Sequence, residues 1–203
     1  MSIETYTEGT SSEKIGNKNT CRNSLLLDVF DTVVKSLIII FIILTFAFKV
    51  CTVVGSSMEN TLYGGEKLLI SNLLYTPREN DVIVFHKTGT LNEPVVKRVI
   101  AVGEKYVKID YDNCVLYVSD DPVFEEREIV DESSYAYFSN GGYIKFTGTA
   151  VYHVPQGYLF VLGDNRNGSL DSRSDEVGLI DERTVLGKVI FRISPIDKFG
   201  TVN

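Results

Sequence analysis

Ser36-Leu37-Ile38-Ile39-Ile40-Phe41-Ile42-Ile43-Leu44-Thr45-Phe46-Ala47-Phe48-Lys49-Val50-Cys51-Thr52-Val53-Val54 is the only long apolar run in the chain, and Gly55-Ser56-Ser57-Met58-Glu59-Asn60-Thr61-Leu62 follows it directly. Thirteen uncharged residues, Ser36 to Phe48, lie between Lys35 and Lys49, short of the ~20 that cross a hydrocarbon core. Both lysines can snorkel to the headgroups along their apolar stems, and counting on to Val54 gives nineteen residues with one interruption. No polar stripe recurs at helical spacing from Leu37 to Phe48, which argues against a buried soluble helix. The long leading region, and the lack of a small-x-small site after Phe48, argue against a cleaved signal peptide. The expectation is one transmembrane helix over 33–54, preceded over 1–32 by a tail, mobile as far as Asn23, and a helical lead-in from Leu25.

Lys14, Lys18, Arg22 and Lys35 precede the run, against Lys49 and Lys67 soon after it. The positive-inside rule counts basic residues, so the N-terminus is expected in the cytoplasm and 55–203 outside.

The chain has 203 residues, 44% of them hydrophobic and 23% charged, enough for an anchor and one packed domain. A net charge of −7 provides no basic footprint for nucleic acid. Cys21, Cys51 and Cys114 form no CxxC and are odd in number, which supports neither a disulfide framework nor a zinc site. His86 and His153 are the only histidines, and no metal or cofactor is expected.

Beyond Leu62 the apolar residues come in short β-rich bursts: Lys67–Ile70, Asp81–Phe85, Pro94–Val102, Tyr158–Leu162 and Val185–Ile193. Tyr106–Asp110 and Cys114–Val118 form a hairpin pattern around Tyr111-Asp112-Asn113. Turn clusters such as Tyr63-Gly64-Gly65 and Ser139-Asn140-Gly141-Gly142 separate the bursts. The fold class is mainly β: one N-terminal transmembrane helix, then an all-β domain carrying an insertion at about 106–155, of which Asp120–Tyr137 is the acidic, least periodic part.

Three stretches hold candidate chemistry. Ser57, among small residues just outside the anchor, reads as a nucleophile or as part of an ordinary linker turn. In Val95–Val102, alternation forces one of Lys97 and Arg98 to share a face with valines. A lysine desolvated there loses its proton more readily and can serve as a base; on an edge strand it would simply reach out to water. Gly163-Asp164-Asn165-Arg166-Asn167-Gly168-Ser169-Leu170-Asp171-Ser172-Arg173 packs two Asp, two Arg, two Asn and two Ser into eleven residues. Such density suits a fixed salt-bridge frame.

In this order, Gly55–Leu62, Asn80–Phe85, Lys97-Arg98-Val99-Ile100 and Gly163–Arg173 resemble the bacterial type I signal peptidases, membrane-anchored Ser/Lys proteases that remove signal peptides from exported proteins. Gly187-Lys188-Val189, Pro195 and Lys198-Phe199-Gly200 also fit that family. The resemblance runs from the anchor to the C-terminus, leaving out the first twenty or so residues and the insertion. It implies a signal-peptidase-like catalytic domain in which Ser57 is the nucleophile, Lys97 its general base and Ser169 the residue that orients the lysine. Backbone N–H groups of Ser57 and Gly55 would form the oxyanion hole, since Gly55 stands where some relatives carry a serine side chain. Asp164, Arg166, Asp171 and Arg173 match structural charged residues of the family, with Arg98 pairing to one of the aspartates. The implied substrates are signal peptides of exported preproteins with small residues one and three before the cut. They would bind extended along an exposed strand edge, with the segment before Ser57 forming the pockets. The lipid bilayer and the secretion translocon are the other implied partners, and the location is the bacterial cell membrane, single-pass.

Asn60 replaces the proline usual after Ser-Met-x, with a looser turn behind Ser57 the expected result, and Asn80 replaces the usual glycine before Asp81. Two alternatives share parts of this pattern: a soluble self-cleaving repressor-type Ser/Lys domain, and a catalytically silent anchored homologue. The spanning run opposes the first, and retention of Ser57, Lys97 and Ser169 opposes the second. Archaeal or reticular-type signal peptidases use His where this chain has Lys97-Arg98, which excludes that type.

Overall fold

A computed structural model describes residues 13–87, 93–124 and 148–202, with side chains from Leu27 onward. It divides into two compact units, 1–46 and 47–203. The first is a helix, α1, Glu13–Ala47, which thus begins within the stretch expected to be a mobile tail. Within it Leu27–Ala47, 21 residues at mean hydropathy 2.3, is long and apolar enough to cross a membrane. Its apolar side chains are exposed all round: the consecutive Leu37, Ile38, Ile39 and Ile40, about 100° apart on the helix, are all uncovered. Hydroxyls that would be costly in hydrocarbon turn back onto the helix, Ser36 Oγ to Thr32 O and Thr45 Oγ1 to Phe41 O, both at 2.8 Å.

The helix stops seven residues earlier than the expected Val54, which is the main correction to the sequence reading. Phe48–Thr52 is strand β1, antiparallel to β2, Lys67–Ser71, with Phe48 opposite Ser71 and Thr52 opposite Lys67. The pairing continues as Val53 N–H donates to Glu66 O (2.9 Å) and Gly65 N–H to Val53 O (2.9 Å). The cause is local. Val50, Thr52, Val53 and Val54 are β-branched, stiff at χ1, and suited to a pleated ladder. Lys49 and Val50 therefore belong to the β unit.

The remaining strands are β3 (Val82–Phe85), β4 (Val95–Ala101), β5 (Lys105–Asp110), β6 (Val115–Ser119), β7 (Thr149–Val154), β8 (Tyr158–Leu162), β9 (Ile180–Asp181), β10 (Val185–Ser194) and β11 (Gly200–Thr201). The large sheet runs β1-β2-β10-β3-β4-β8-β9, with β11 on β10, and a second sheet runs β6-β5-β7. The mainly-β expectation holds, and the expected strands all appear within a residue or two. Strand β7 and the short β9 and β11 were not foreseen.

Strand alternation distributes the core. In β3, Val82 and Val84 pack with Val53, Met58, Leu62, Leu68 and Ile70, whereas Ile83 and Phe85 pack with Val99, Leu159 and Val161. A period of two thus lets one buried strand serve two cores. Strands β5, β6 and β7 share a third core with Ile100, Phe160 and Leu162. Their described residues are therefore integral to the domain, although 106–155 reads as an insertion in sequence. Residues 125–147, including most of the acidic stretch, lie outside the described residues.

Candidate active site

Ser57 sits on a tight turn just beyond β1. Glu59 N–H donates to Ser56 O (3.0 Å), and Thr61 and Leu62 N–H donate to Met58 O (3.1 and 2.8 Å). Met58 and Leu62 plug this turn into the core, 2% and 0% exposed. Asn60 adopts φ 90°, a left-handed conformation that Asn tolerates and proline cannot reach. Its replacement of the usual proline therefore comes with a different backbone, held by hydrogen bonds on both sides. Asn80, at φ 67°, fills its glycine position for the same reason.

Lys97 stands in the middle of β4, opposite Ile83 of β3, and is 2% exposed. Its Nζ donates to Ser57 Oγ at 2.6 Å and to Val96 O at 3.1 Å. Burial pushes the ammonium down from its ordinary 10.5 to about 8. Asp171 and Asp164 pull it back upward, and Arg173 adds a small push down. Of the two environments the sequence left open for Lys97, desolvated or reaching out to water, the structure shows the desolvated one.

The loop 163–173 cradles this pair. Arg173 grips Asp171 through two hydrogen bonds (Nε to Oδ1, 2.8 Å; Nη2 to Oδ2, 2.9 Å), and Nη2 also donates to Arg166 O (2.6 Å). Gly163 N–H donates to Asp171 Oδ2 (3.0 Å), and Arg166 Nε to Gly163 O (3.1 Å). Arg166, Asp171 and Arg173 are all buried, with their charges enclosed in this network. Arg98 makes the expected pair, a bidentate one with Asp164 at 2.8 Å for both bonds. Asp164 Oδ2 also accepts from Thr61 Oγ1 at 2.5 Å, tying the frame to the Ser57 turn.

Ser169 departs from expectation. It is buried, but its Oγ has no hydrogen-bond partner, and no bond to Lys97 is formed. It lies against Gly163, where an added Cβ would stand 2.2 Å from Ser169 Oγ and 2.4 Å from Ser57 O. Only glycine lets the loop come this close.

A cleft of about 230 Å³ opens beside Ser57. One wall is Cys51–Gly55, the segment before the nucleophile, as the sequence suggested. The other is formed by Glu93–Val96 with Val84, and Met58 lies at the same end as Ser57. Val84 and Val96 were missed, because only strand register, which sets them opposite each other, brings them to the cleft. Gly55, expected to help bind an oxyanion, lines this cleft at φ 83°. His153 packs at a tilt against Tyr106 in the smaller sheet, 4.7 Å between ring centres and 35° between ring planes. The arrangement can support acyl transfer: a hydroxyl in contact with a buried amine beside a cleft.

Residues 26–194 match the family model described as signal peptidase, peptidase S26. The chain is 34% identical to signal peptidase IB of Staphylococcus aureus over 86% of its length and 92% of the relative's. It is 35% identical to signal peptidase I of Bacillus caldolyticus over 76% and 84% of the two chains. Among solved structures it is similar to a signal peptidase I from Enterococcus faecalis, at 26% identity and a TM-score of 0.42, covering 57% of this chain and 97% of the other.

Proposed function

The chain belongs to the signal peptidase family, peptidase S26, whose members are serine endopeptidases that remove signal peptides from preproteins, and we propose that Ser57 and Lys97 perform that cleavage here. The observation that carries the assignment is the 2.6 Å contact between Lys97 Nζ and Ser57 Oγ, made by an amine shielded from water.

In the proposed mechanism neutral Lys97 takes the Ser57 proton as Oγ attacks the scissile carbonyl carbon. Backbone N–H groups of Ser57 and Gly55 stabilise the oxyanion. The tetrahedral intermediate collapses, and Lys97 returns its proton to the leaving amine. Water, deprotonated by Lys97, then attacks the acyl carbon, and the lysine passes that proton to the departing Ser57 Oγ, restoring the neutral base. During the charged interval the ammonium gains a third donor. The unpartnered Ser169 Oγ is the group we assign to accept from it, so that Ser169 positions the protonated base. A buried hydroxyl without a partner costs about 1–3 kcal/mol, and this bond would offset that cost when the lysine is charged. Asp164, Arg166, Asp171 and Arg173, with Arg98, hold the loop and the strand bearing Lys97 in register.

The substrate is read as an extended peptide in the cleft between Cys51–Gly55 and Glu93–Val96. Small side chains one and three before the cut, as the family resemblance implies, would sit against Val53, Val54, Val84 and Val96 there. Leu27–Ala47 is assigned as the span, cytoplasmic at its N-terminal end because Lys14, Lys18 and Arg22 precede it. The bilayer is thereby a partner, and substrates delivered by the translocon meet the site at raised effective concentration.

The test is cleavage of a preprotein by detergent-solubilised wild type, Ser57→Ala and Lys97→Ala. Loss in both variants, with the fold retained, is expected. Near wild-type cleavage by Lys97→Ala would reject the base assignment.

A further inference from the structure

Asn165 contacts the turn that carries Ser57 at two consecutive peptide units. Its side-chain Nδ2 donates to Ser56 O at 3.0 Å, and its own backbone N–H donates to Ser57 O at 3.0 Å. The amide is itself oriented: Gly168 N–H donates to Asn165 Oδ1 at 3.2 Å, which turns Nδ2 toward Ser56. An added Cβ at Gly168 would stand 2.8 Å from that Nδ2, so only glycine leaves the amide its place.

The Ser56–Ser57 peptide is planar and trans, so its carbonyl and N–H point in opposite directions. Whatever fixes Ser56 C=O therefore fixes the direction of Ser57 N–H. The Glu59 N–H bond to Ser56 O comes from within the same turn and moves with it. Among the described residues, Asn165 alone anchors Ser56 O from the opposing loop, and that loop is itself pinned by the buried Asp171–Arg173 pair.

We infer that Asn165 is a positioning residue for the oxyanion donor: it holds the Ser56–Ser57 peptide plane so that Ser57 N–H faces the developing negative charge. This rests on the assignment of Ser57 made above. Loss of a directly acting oxyanion donor costs about 100- to 1000-fold in kcat. A donor left in place but free to tilt loses part of that, and about 10- to 100-fold is expected.

The experiment compares the full chain in detergent with Asn165→Asp, Asn165→Ala and Gly168→Ala, using Ser57→Ala as reference. Asp keeps the shape but replaces the donor by an oxygen facing Ser56 O. Gly168→Ala displaces the amide without altering Asn165. Three readouts are taken: kcat and KM for a peptide substrate, affinity for a boronic acid analogue that adds to Ser57 as a tetrahedral adduct, and affinity for a reduced-amide peptide lacking the carbonyl. A fall in kcat matched by a fall in boronate affinity is expected, with KM and reduced-amide binding unchanged, and with the pH midpoint of activity unchanged in the uncharged Asn165→Ala and Gly168→Ala. A merely structural role would weaken reduced-amide binding as much as boronate binding, and that result overturns the inference. Wild-type kcat in both folded Asn165 variants, with Ser57→Ala inactive, overturns it while leaving the Ser57 assignment intact. An active Ser57→Ala removes both.

Discussion

Below its own pKa, Lys97 is mostly protonated and cannot accept the Ser57 proton, so activity should track the neutral fraction. With the ammonium pushed down to about 8 by burial, roughly 10% of the enzyme carries a neutral base at pH 7. At the unperturbed value the fraction would be roughly 0.03%. Desolvation of this one side chain is therefore worth about 300-fold in competent enzyme at neutral pH. The assay is kcat/KM on a peptide substrate from pH 6 to pH 10, which reports ionisation in the free enzyme. It should climb about tenfold per pH unit at the acid end, bend near 8 and level off above. Asp164→Asn supplies a second arm. That carboxylate holds the ammonium up, so its removal should move the bend to lower pH in the variant that folds. A bend at or above pH 10, a flat profile, or a shift to higher pH in Asp164→Asn would refute the idea that burial prepares the base.

The same shift carries a stability cost. The folded chain holds its Lys97 proton less tightly than the unfolded chain, so charged Lys97 destabilises the fold below pH 8. That penalty fades as pH rises toward 10.5. Lys97→Met should abolish cleavage yet raise unfolding stability at pH 7 by about 1–3 kcal/mol, with the gain shrinking at alkaline pH, as read by denaturant titration. Arg98→Ala leaves the nearly buried Asp164 carboxylate without its bidentate partner. A loss of about 3–5 kcal/mol is expected, visible as a lower thermal midpoint. Removal of residues 1–47 should leave β1 and the cleft wall in place, with cleavage of a soluble peptide retained. Removal of 1–54 deletes β1 and Cys51–Val54 and should abolish it.

Alternation required one of Lys97 and Arg98 to face valines without saying which, and it was the resemblance to the family that singled out Ser57 and Lys97 in the sequence. The extent of the helix was not legible. Ser36 to Val54 is apolar apart from Lys49, and hydropathy alone does not separate a helical part from a buried or edge strand. Lys49 and the β-branched residues after it were the available signal. Pairing partners decided the rest: Val84 and Val96 meet at the cleft only through the β3–β4 register. Asn165 acquires its contacts only when residues 109 positions apart are brought together. Ser169 illustrates the reverse limit, since family resemblance implied a bond to Lys97 that this structure does not contain. The charged residues of loop 163–173 were recognisable as a frame because so many buried charges require one another.

The junction at Ala47–Phe48 has no linker: the last residue of the apolar helix is followed at once by the first residue of β1. Ten residues separate Ala47 from Ser57, and even fully extended they span no more than about 36 Å. With Leu27–Ala47 as the span, the chain becomes a ruler fixed at one end. On the proposed reading, Ser57 would work only within that distance of the point where the backbone leaves the lipid. A membrane-held substrate would be cut according to how far its scissile bond stands from its own apolar segment, so distance as well as side-chain size would decide what is processed.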